Sequence, residues 1–468
     1  MEKIRSRGSF TGSLGFILAA AGSSVGLGNI WRFPYLAAKD GGGLFLLVYL
    51  VLALTFGFAL LITEIAIGRK TGQSPLTAYG MIHKKMGWIG VFACLIPLII
   101  LPYYCSIGGW VLKYLAVYLT GQGSAAAGDG YFGGFITAQW SPIFWFVLFM
   151  SLTSFFVYRG VDKGIEKLSR VIMPILLVMI MGVALFSLFL KHTDSAGVTR
   201  TGLQGLKVYV VPSFEGMTFK QFMVVLTDAM GQLFYSISVA MGIMIAYGSY
   251  VPKDTDLVKS VNRIEICDTF VAFLAGLMII PAVFTFMGPE GMSASGPALM
   301  FKALPKVFEA MGPVVGGIVG IVFFMAVAFA AVTSSVSVME AVVSSVIDQF
   351  GWKREKATLS VMAVALVVGV LVCLGYNVLY FELPLPNGSI AQILDILDYI
   401  SNYIMMPVVS IATCLFIGWV VKPKTVIEEV TLGGIKFRRE KVFVVMVKFI
   451  TPLLLTLLLL QALGLIRF

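Results

Sequence analysis

The chain has 468 residues, of which 59% are hydrophobic and 12% are charged, and its formal net charge is +10. A mean hydropathy of +0.94 excludes an ordinary soluble domain and indicates an integral membrane protein. The positive charge does not indicate nucleic-acid binding, because the basic residues lie in short loops between long apolar segments.

The apolar segments predict the number of membrane spans. A helix needs about 20 apolar residues to cross ~30 Å of hydrocarbon, and eleven such segments centre near residues 25, 55, 102, 150, 178, 235, 272, 325, 365, 407 and 455. No polar linker is long enough to separate soluble domains. We therefore expect one all-α membrane domain over residues 1–468 with eleven transmembrane helices. We expect no secretory signal peptide, since the basic tail Met1–Arg7 continues into the first span without a cleavage site.

The basic residues predict the orientation in the membrane. They cluster in the N-terminal tail and in alternate loops, and cytoplasmic loops carry the excess of Lys and Arg. The loop clusters are Lys84 with Lys85, Arg159 with Lys163 and Lys167, Lys353 with Arg354 and Lys356, and Arg438 with Arg439 and Lys441. We expect a multi-pass protein of the plasma membrane with a cytoplasmic N-terminus and an extracellular C-terminus.

Cysteine and histidine usage disfavours two kinds of site. All five cysteines lie in or at the edge of apolar segments, which disfavours a disulfide framework in external loops. The two histidines, His83 and His192, lie in predicted loops, which disfavours a histidine metal centre at membrane depth.

The first apolar segment contains a predicted helix break. Between Ala21 and Pro34 it holds three glycines and two serines, followed by Asn29 and Arg32. A break inside a membrane is tolerated where protein or water satisfies the freed backbone groups, so this segment is predicted to line a cavity. Freed carbonyls can coordinate a cation, and the N–H groups that begin the next half-helix can hold an anion.

A second interrupted segment runs from Gly231 to Gly242. Four intact spans separate the two interrupted ones, which predicts a five-plus-five inverted repeat whose first helices are both broken. The repeats would cover about residues 10–190 and 220–420, with an additional span at about 441–465. Close helix packing is the alternative explanation for these Gly and Ser residues.

Two further segments carry polar groups at membrane depth. Thr333, Ser334 and Ser335 are consecutive hydroxyl residues in the eighth span, and their alternative role is hydrogen bonding within or between helices. Asp268 in the seventh span is a functional candidate, because an intramembrane carboxylate is costly without a partner. A surface-proximal acid at a helix end is the alternative. The expected partner is a cation held together with Asn29.

These residues resemble the neurotransmitter:sodium symporter family, in particular its bacterial amino-acid transporters. The resemblance runs in order from about Arg7 to residue 460 and is carried by the motifs Gly22–Pro34, Arg159–Glu166, Gly231–Ser236 and Thr333–Ser335. It implies the inverted-repeat fold and sodium-coupled transport.

The resemblance implies two sodium sites. The first would comprise the Ser24 carbonyl, Asn29, Ser236, Asp268 and the carboxylate of the substrate. The second would comprise the carbonyls of Gly22, Val25 and Ala330 with the hydroxyls of Thr333 and Ser334. Ser24 replaces a usual alanine, Asp268 stands where several relatives have asparagine, and Ala272 occupies the position of a serine near which animal relatives hold chloride. Because Asp268 supplies the negative charge, we expect no chloride requirement.

The resemblance also implies the class of substrate. Gly26 occupies the position where monoamine carriers place an aspartate, so the substrate is expected to carry its own carboxylate. The expected polar contacts are the N–H groups of Leu27 and Gly28, the hydroxyls of Tyr104 and Ser238, and the carbonyls of Ser24, Tyr235 and Ser236. The side-chain subsite would be lined by Ile100, Tyr104, Tyr235, Ala240, Met241, Ser334 and Val338. This wall carries no charge, which favours a neutral, mostly hydrophobic amino acid, and the methyl group of Ala240 should narrow it against the bulkiest rings.

Two charge pairs are expected, by the same resemblance, to act as gates. Arg32 and Asp398 would close the extracellular side above an aromatic lid of Tyr104 and Tyr235. Arg7 and Asp348, near Tyr250, would close the cytoplasmic side. Interfacial anchoring is the alternative for each of these charges, and for Asp398 in particular, because Asp395 lies one turn away.

The fifth span carries a predicted weak point. Gly164 and Pro174 flank nine residues there. A proline removes a backbone hydrogen bond and favours local unwinding. Unwinding at this place would open a water path from the cytoplasm to the second sodium site.

Together these features predict a carrier that moves a neutral amino acid into the cell with sodium by alternating access. Its partners would be a small-molecule substrate and the lipid bilayer. A proton-coupled or exchange carrier of the same general fold is the first alternative, disfavoured because it would not need the oxygen set described above. An ion channel is disfavoured because the broken helices would enclose a site between two gates instead of a continuous pore. An intramembrane enzyme is disfavoured because the sequence places no histidine and acid constellation at membrane depth.

Overall fold

The computed structural model describes residues 8–194, 196–214, 217–291 and 296–466. Nine helices of this part of the chain are long and apolar enough to cross a membrane, and a helix pair bent by 52°, Ser13–Ser24 with Gly28–Lys39, brings the number to ten. The eleventh expected span corresponds to two shorter helices, Phe219–Ser236 and Ile243–Gly248. The all-α membrane fold with two interrupted spans is confirmed.

The first half of the chain forms the first five spans and the segments that join them. Its helices are α1 (Ser13–Ser24), α2 (Phe33–Lys39), α3 (Gly43–Leu52), α4 (Phe58–Thr71), α5 (Pro75–Ile82), α6 (Gly87–Leu119), α7 (Gly123–Ala127), α8 (Tyr131–Thr137), α9 (Ser141–Tyr158) and α10 (Lys167–Leu188). Short π-helical stretches precede or join several of them, at Gly28–Arg32, Ala53–Gly57 and Val161–Glu166. A single 3₁₀ turn at Lys84–Met86 precedes α6.

The second half begins after a two-stranded antiparallel hairpin, β1 (Lys191–Thr193) with β2 (Thr199–Thr201). Its helices are α11 (Gly202–Val210), α12 (Phe219–Ser236), α13 (Ile243–Gly248), α14 (Leu257–Gly291), α15 (Gly296–Ala298), α16 (Leu304–Ala310), α17 (Pro313–Phe350), α18 (Arg354–Leu374), α19 (Ile393–Asp398), α20 (Met406–Leu415), α21 (Lys424–Val430), α22 (Glu440–Val445) and α23 (Thr451–Ala462). A second hairpin, β3 (Leu383–Pro384) with β4 (Ile390–Ala391), lies between α18 and α19. The π-helical stretches are Leu299–Ala303, Tyr399–Met405, Phe416–Val420 and Met446–Ile450, with a 3₁₀ turn at Leu432–Gly434.

The two broken spans lie inside the bundle. α1 packs against α10, α14 and α17, and α13 packs against α4 and α17. The last turns of α1, from Ala19 to Ser24, are buried, whereas large apolar side chains such as Val178 and Val367 are exposed on outer helices. A helix bundle in lipid is expected to have small residues in its buried centre and exposed apolar side chains on its outer surface. The bundle therefore places the interrupted backbone at its centre.

The fifth span differs from the expectation. α10 continues through Pro174 without interruption, and the backbone irregularity is instead the π-helical stretch Val161–Glu166 before it. A Cβ atom on Gly164 would lie 2.0 Å from the Phe156 carbonyl oxygen, so this glycine is required for close packing. The predicted unwinding is therefore absent from the described helix, and Gly164 serves packing here.

Candidate functional site

The first break follows α1. Val25, the next residue, has an extended backbone with φ −78° and ψ 90°. A Cβ atom on Gly26 would lie 2.8 Å from the Ser334 hydroxyl oxygen, and one on Gly28 would lie 2.8 Å from the Tyr235 ring. Real Cβ atoms do not approach neighbours this closely, so the two glycines let side chains of other helices reach the open backbone.

The second break separates α12 from α13. Ser238, Ala240 and Gly242 have left-handed backbone conformations, with φ values of 55°, 66° and 70°. This conformation costs an L residue roughly 1–2 kcal/mol, so two non-glycine residues in it need support from their surroundings. The N–H group of Ala240 donates to Glu64 Oε1 at 2.6 Å, and the Ser238 hydroxyl donates to the Ser23 carbonyl at 3.1 Å. The second of these bonds joins the two breaks directly.

A buried group of oxygen atoms, named here the Asp268 cluster, lies beside the first break. Asp268 Oδ1 accepts from the Ser236 hydroxyl at 2.8 Å and from Asn29 Nδ2 at 2.9 Å. The Ser236 hydroxyl is also 3.2 Å from Asn29 Oδ1, and the Tyr49 hydroxyl is 3.4 Å from Asp268 Oδ2. Ser24, whose carbonyl is a predicted ligand, lines the adjoining cavity. A buried carboxyl group surrounded by neutral oxygen atoms suits a hard cation.

A second group of oxygen atoms, named here the Thr333 cluster, lies where α17 passes the end of α1. The Thr333 hydroxyl is 3.0 Å from the Ala330 carbonyl oxygen. The Ser334 hydroxyl is 3.4, 3.1 and 3.3 Å from the carbonyl oxygens of Gly22, Ser23 and Val25. Ser334 thus lies against the predicted carbonyls of Gly22 and Val25, whereas the contact between Thr333 and Ala330 lies within α17. A Cβ atom on Gly22 would lie 3.4 Å from Thr333 Cβ, so Thr333 is also next to the end of α1. Ser23 contributes a carbonyl oxygen that the sequence did not predict. Carbonyls freed at a helix end, together with hydroxyls, are typical ligands of an alkali cation in a membrane.

Two cavities lie on either side of Tyr235. The inner cavity, between the two breaks, has a volume of about 30 Å³, and the outer cavity has a volume of about 410 Å³. About 30 Å³ is the share of one water molecule in the liquid, so the inner cavity must expand to hold an amino acid. Tyr235 lines both cavities, and Arg32 lines the outer one. The Tyr235 side chain therefore separates a small central site from an open vestibule.

The inner cavity contains nearly all of the predicted substrate residues. Its wall is formed by Ser23, Ser24, Gly26, Leu27, Gly28, Asn29, Ile100, Tyr104, Tyr235, Ser236, Ser238, Met241, Ser334 and Val338. The Tyr104 hydroxyl is 3.5 Å from the N–H nitrogen of Leu27, so these two predicted carboxylate contacts are neighbours. Ala240 is the exception, because it does not line the cavity, although its chain neighbour Met241 does.

The predicted gate residues come together only in part. Arg32 and Asp398 attract each other, but within the described part of the chain they form no ion pair with an N to O distance of 4.0 Å or less. The Arg32 guanidinium instead lies 5.9 Å from the centre of the Tyr403 ring. Asp398 Oδ1 instead accepts from Asn402 Nδ2 at 2.6 Å. Asp348, on α17, accepts from the Ser74 N–H group at 2.7 Å. Arg7, its predicted partner, lies outside the described residues.

Besides Ser23, three buried polar residues of the site were not found from the sequence. Glu64 on α4 binds the second break, as described above, and Gln232 Nε2 donates to the Gly28 carbonyl at 3.1 Å. Tyr49 joins the Asp268 cluster. An acid inside an apolar segment is a functional signal, and this signal was present at Glu64. Tyrosine and glutamine give no comparable signal.

Known proteins resemble this chain over most of its length. The model of the sodium:neurotransmitter symporter family matches residues 7–126 and 137–467. The chain is 32% identical to the uncharacterized sodium-dependent transporter YhdH of Bacillus subtilis over 97% of both chains. It is 26% identical to the sodium- and chloride-dependent GABA transporter 2 of Homo sapiens, over 81% of this chain and 69% of the relative. The crystal structure of MhsT in complex with L-phenylalanine has a TM-score of 0.83 and 33% identity, with 97% of this chain and 100% of that chain covered. The chain therefore belongs to the sodium:neurotransmitter symporter family, whose members are sodium-dependent transporters and not enzymes.

Proposed function

We propose that this protein is a symporter that couples sodium to the inward movement of neutral, mostly hydrophobic amino acids by alternating access. The observation that carries the proposal is the position of the two oxygen clusters, which flank one break after α1 and border the same small cavity. Ions and substrate bound there would share one stretch of backbone. Shared contacts of this kind are what coupling between binding sites requires.

The two clusters would hold two sodium ions. The Asp268 cluster would bind the first ion together with the Ser24 carbonyl and the carboxylate of the substrate. The Thr333 cluster would bind the second ion. Asp268 brings a negative charge to the first site from within the protein, and Ala272 nearby offers no hydroxyl to an anion. Chloride is therefore expected to be dispensable.

The substrate would bind in the inner cavity. The N–H groups of Leu27 and Gly28 begin the second half of the broken first span, where a carboxylate is favoured. Among the described residues that line the cavity there is no Asp, Glu, Lys or Arg, so a charged side chain would lose its hydration without gaining a partner. In its crystal structure the relative MhsT is in complex with L-phenylalanine, a neutral and apolar amino acid of the expected kind.

Alternating access would begin from the vestibule. The outer cavity leads to Tyr235, and rotation of this ring with Tyr104 would admit the substrate. Approach of Arg32 and Asp398 would close the site above it. Release to the cytoplasm would require the opening of the opposite side, where Arg7 and Asp348 are the proposed pair.

Uptake into proteoliposomes tests this function directly. Labelled leucine or phenylalanine should accumulate when sodium is high outside, and a proton gradient should not replace the sodium gradient. Competition by the full set of amino acids should be strong for neutral apolar ones and weak for Asp, Glu, Lys and Arg. One methylene in an apolar pocket is worth only about 1–3 kcal/mol, so several neutral amino acids should compete with one another. Equal uptake in potassium or choline, or preference for a charged amino acid or a carboxylate-free amine, would contradict the proposal.

A further inference from the structure

Two buried acids lie one helical turn apart on α14. Asp268 and Glu265 are 1% and 4% exposed. Residues three apart on a helix share a face, and like charges at this spacing repel each other. Asp268 belongs to the proposed sodium site, whereas nothing in the proposed function uses Glu265. A second buried acid at this position requires a compensating group.

Arg439 is that group. Its Nη2 atom donates to Glu265 Oε2 at 3.1 Å, and Glu265 Oε1 is buried without a hydrogen-bond partner in the described part of the chain. Arg439 also donates to the Asn262 side chain on α14. The Arg439 side chain is about one-quarter exposed, whereas that of Glu265 is almost fully buried. The positive charge therefore reaches in from the edge of the bundle.

Two further contacts fix the position of the Arg439 guanidinium. Nη1 donates to the Leu54 carbonyl at 3.0 Å, and the group lies 3.6 Å from the centre of the Phe58 ring. Leu54 belongs to the π-helical stretch Ala53–Gly57, where the regular pattern of backbone hydrogen bonds is changed. Arg439 lies at the start of the last span and contacts both the second and the seventh spans. These contacts hold its charge next to Glu265.

We propose that Glu265 and Arg439 are positioning residues that set the electrostatic potential, and with it the sodium affinity, of the Asp268 cluster. The inference rests on the proposed function, in which this cluster binds sodium. When all three are ionised, Asp268, Glu265 and Arg439 together carry one net negative charge, which matches one sodium ion. Loss of either member of the pair changes this sum by one unit close to the ion.

The sign of the effect distinguishes this role from simple packing. Glu265→Gln keeps the shape of the side chain but leaves the Arg439 charge unopposed, so sodium should bind more weakly. Coulomb's law, with an effective dielectric constant of about 20 and a separation on the order of 10 Å, gives roughly a tenfold rise in the half-maximal sodium concentration. Arg439→Gln should not raise this concentration, and the double variant, which is again neutral at the pair, should return to within about twofold of the wild type.

The experiment measures sodium-dependent thermal stabilisation of the purified protein without substrate, and sodium activation of uptake in proteoliposomes. Glu429→Gln is the matched control, because Glu429 forms a buried ion pair with Arg69, Nε to Oε1 at 2.8 Å, away from the cluster. This control should lower stability without moving the sodium midpoint. A Glu265→Gln midpoint equal to that of the wild type, or a double variant equal to the Glu265→Gln single variant, would overturn the inference.

Asp268→Asn separates failure of the inference from failure of the proposed function. If Asp268→Asn impairs sodium activation but Glu265→Gln does not, the inference alone is wrong. If Asp268→Asn also leaves sodium activation unchanged, the sodium site itself is wrong, and the inference fails with it.

Discussion

Thr333→Val is the sharpest test of the second sodium site. The replacement keeps the branched shape of the side chain and removes one oxygen atom from the Thr333 cluster. Thr333 does not line the described inner cavity, whereas its neighbour Ser334 both lines the cavity and belongs to the cluster. Loss of the Thr333 hydroxyl should therefore act on sodium and reach the substrate only through sodium.

The expected magnitude follows from two opposing terms. A hydrogen-bonding group in contact with a charged partner contributes ~1.5–3 kcal/mol. When no ion is bound, the same hydroxyl donates within its helix, to the Ala330 carbonyl at 3.0 Å, and a bond of this neutral kind contributes about 0.5–1.5 kcal/mol. The midpoints of the two ranges differ by about 1.2 kcal/mol, which corresponds to roughly a five- to tenfold rise in the half-maximal sodium concentration.

Two assays measure this change. Uptake at fixed substrate is followed while sodium replaces potassium, and thermal stabilisation of the purified protein by sodium reports occupancy without transport. Ser344→Ala is the matched control, since that hydroxyl on the same helix donates to the Ala341 carbonyl at 3.2 Å and lies outside both clusters. The control should reproduce the wild-type sodium curve. An unchanged midpoint for Thr333→Val in both assays would refute the reasoning, because the hydroxyl would then serve only hydrogen bonding within α17.

Three further changes have defined outcomes. Replacing chloride with gluconate should leave wild-type uptake unaltered, whereas Asp268→Asn should lower uptake sharply. If uptake required chloride and the Asp268→Asn variant transported normally, Asp268 would not belong to the first sodium site. Ala240→Gly should relieve roughly 1–2 kcal/mol of left-handed strain, less about 0.5–1 kcal/mol for the added freedom of glycine. Because Ala240 does not line the inner cavity, competition by aromatic amino acids should change little in this variant. Ala246→Gly inside α13 should instead destabilise by ~1 kcal/mol, and improved aromatic competition in the Ala240 variant would show that the methyl group does narrow the site. Burial, followed by repulsion from Asp228, raises the pKa of the Asp40 carboxyl, in the loop after α2, to about 7. Because an unfolded carboxyl ionises near pH ~4, the melting temperature of the wild type should fall as pH rises from about 4 to about 7 and then level off. Asp40→Asn should show a smaller decline than the wild type, and parallel curves for the two proteins would contradict the assignment.

Local sequence accounts for both helix breaks. Gly26 and Gly28 weaken the first span where it must be open, and the expected interruption is confirmed after Ser24. The second interruption lies inside the predicted segment, between Ser236 and Ile243. Helix interruption depends on residues next to one another in the chain, so it can be read from a short window of sequence.

Contacts between distant segments could not be predicted in the same way. Glu64 is recognisable as an acid in an apolar helix, but its partner is a backbone N–H group 176 residues later, at Ala240. That N–H group is available only because the second break leaves it outside a helix. The Glu265 and Arg439 pair depends likewise on the start of the last span lying beside the seventh, 174 residues away in the chain. Neither pairing has a pattern along the sequence.

Pro174 and Ala240 show where the sequence pattern and the structure differ. A helix in a membrane can absorb a proline when its neighbours support the backbone, and α10 passes through Pro174 intact. Ala240 lies beside the cavity wall, with its N–H group held by Glu64. The prediction of unwinding at Pro174 is therefore not met in this structure, and at Ala240 the backbone conformation depends on a contact with a distant helix.

In the proposed function, the break after α1 would couple the binding of ions to the binding of substrate. Asn29 belongs to the Asp268 cluster and Ser334 to the Thr333 cluster, and both side chains line the inner cavity. An ion that orders this backbone removes part of the entropic cost of binding the substrate. Linkage then requires the substrate to raise sodium affinity by the same factor. A ligand shifts a conformational equilibrium only by its difference in affinity between the two states. If the cavity closed around substrate without sodium, the ion contacts at both clusters would be lost. This loss would make uncoupled transport unfavourable.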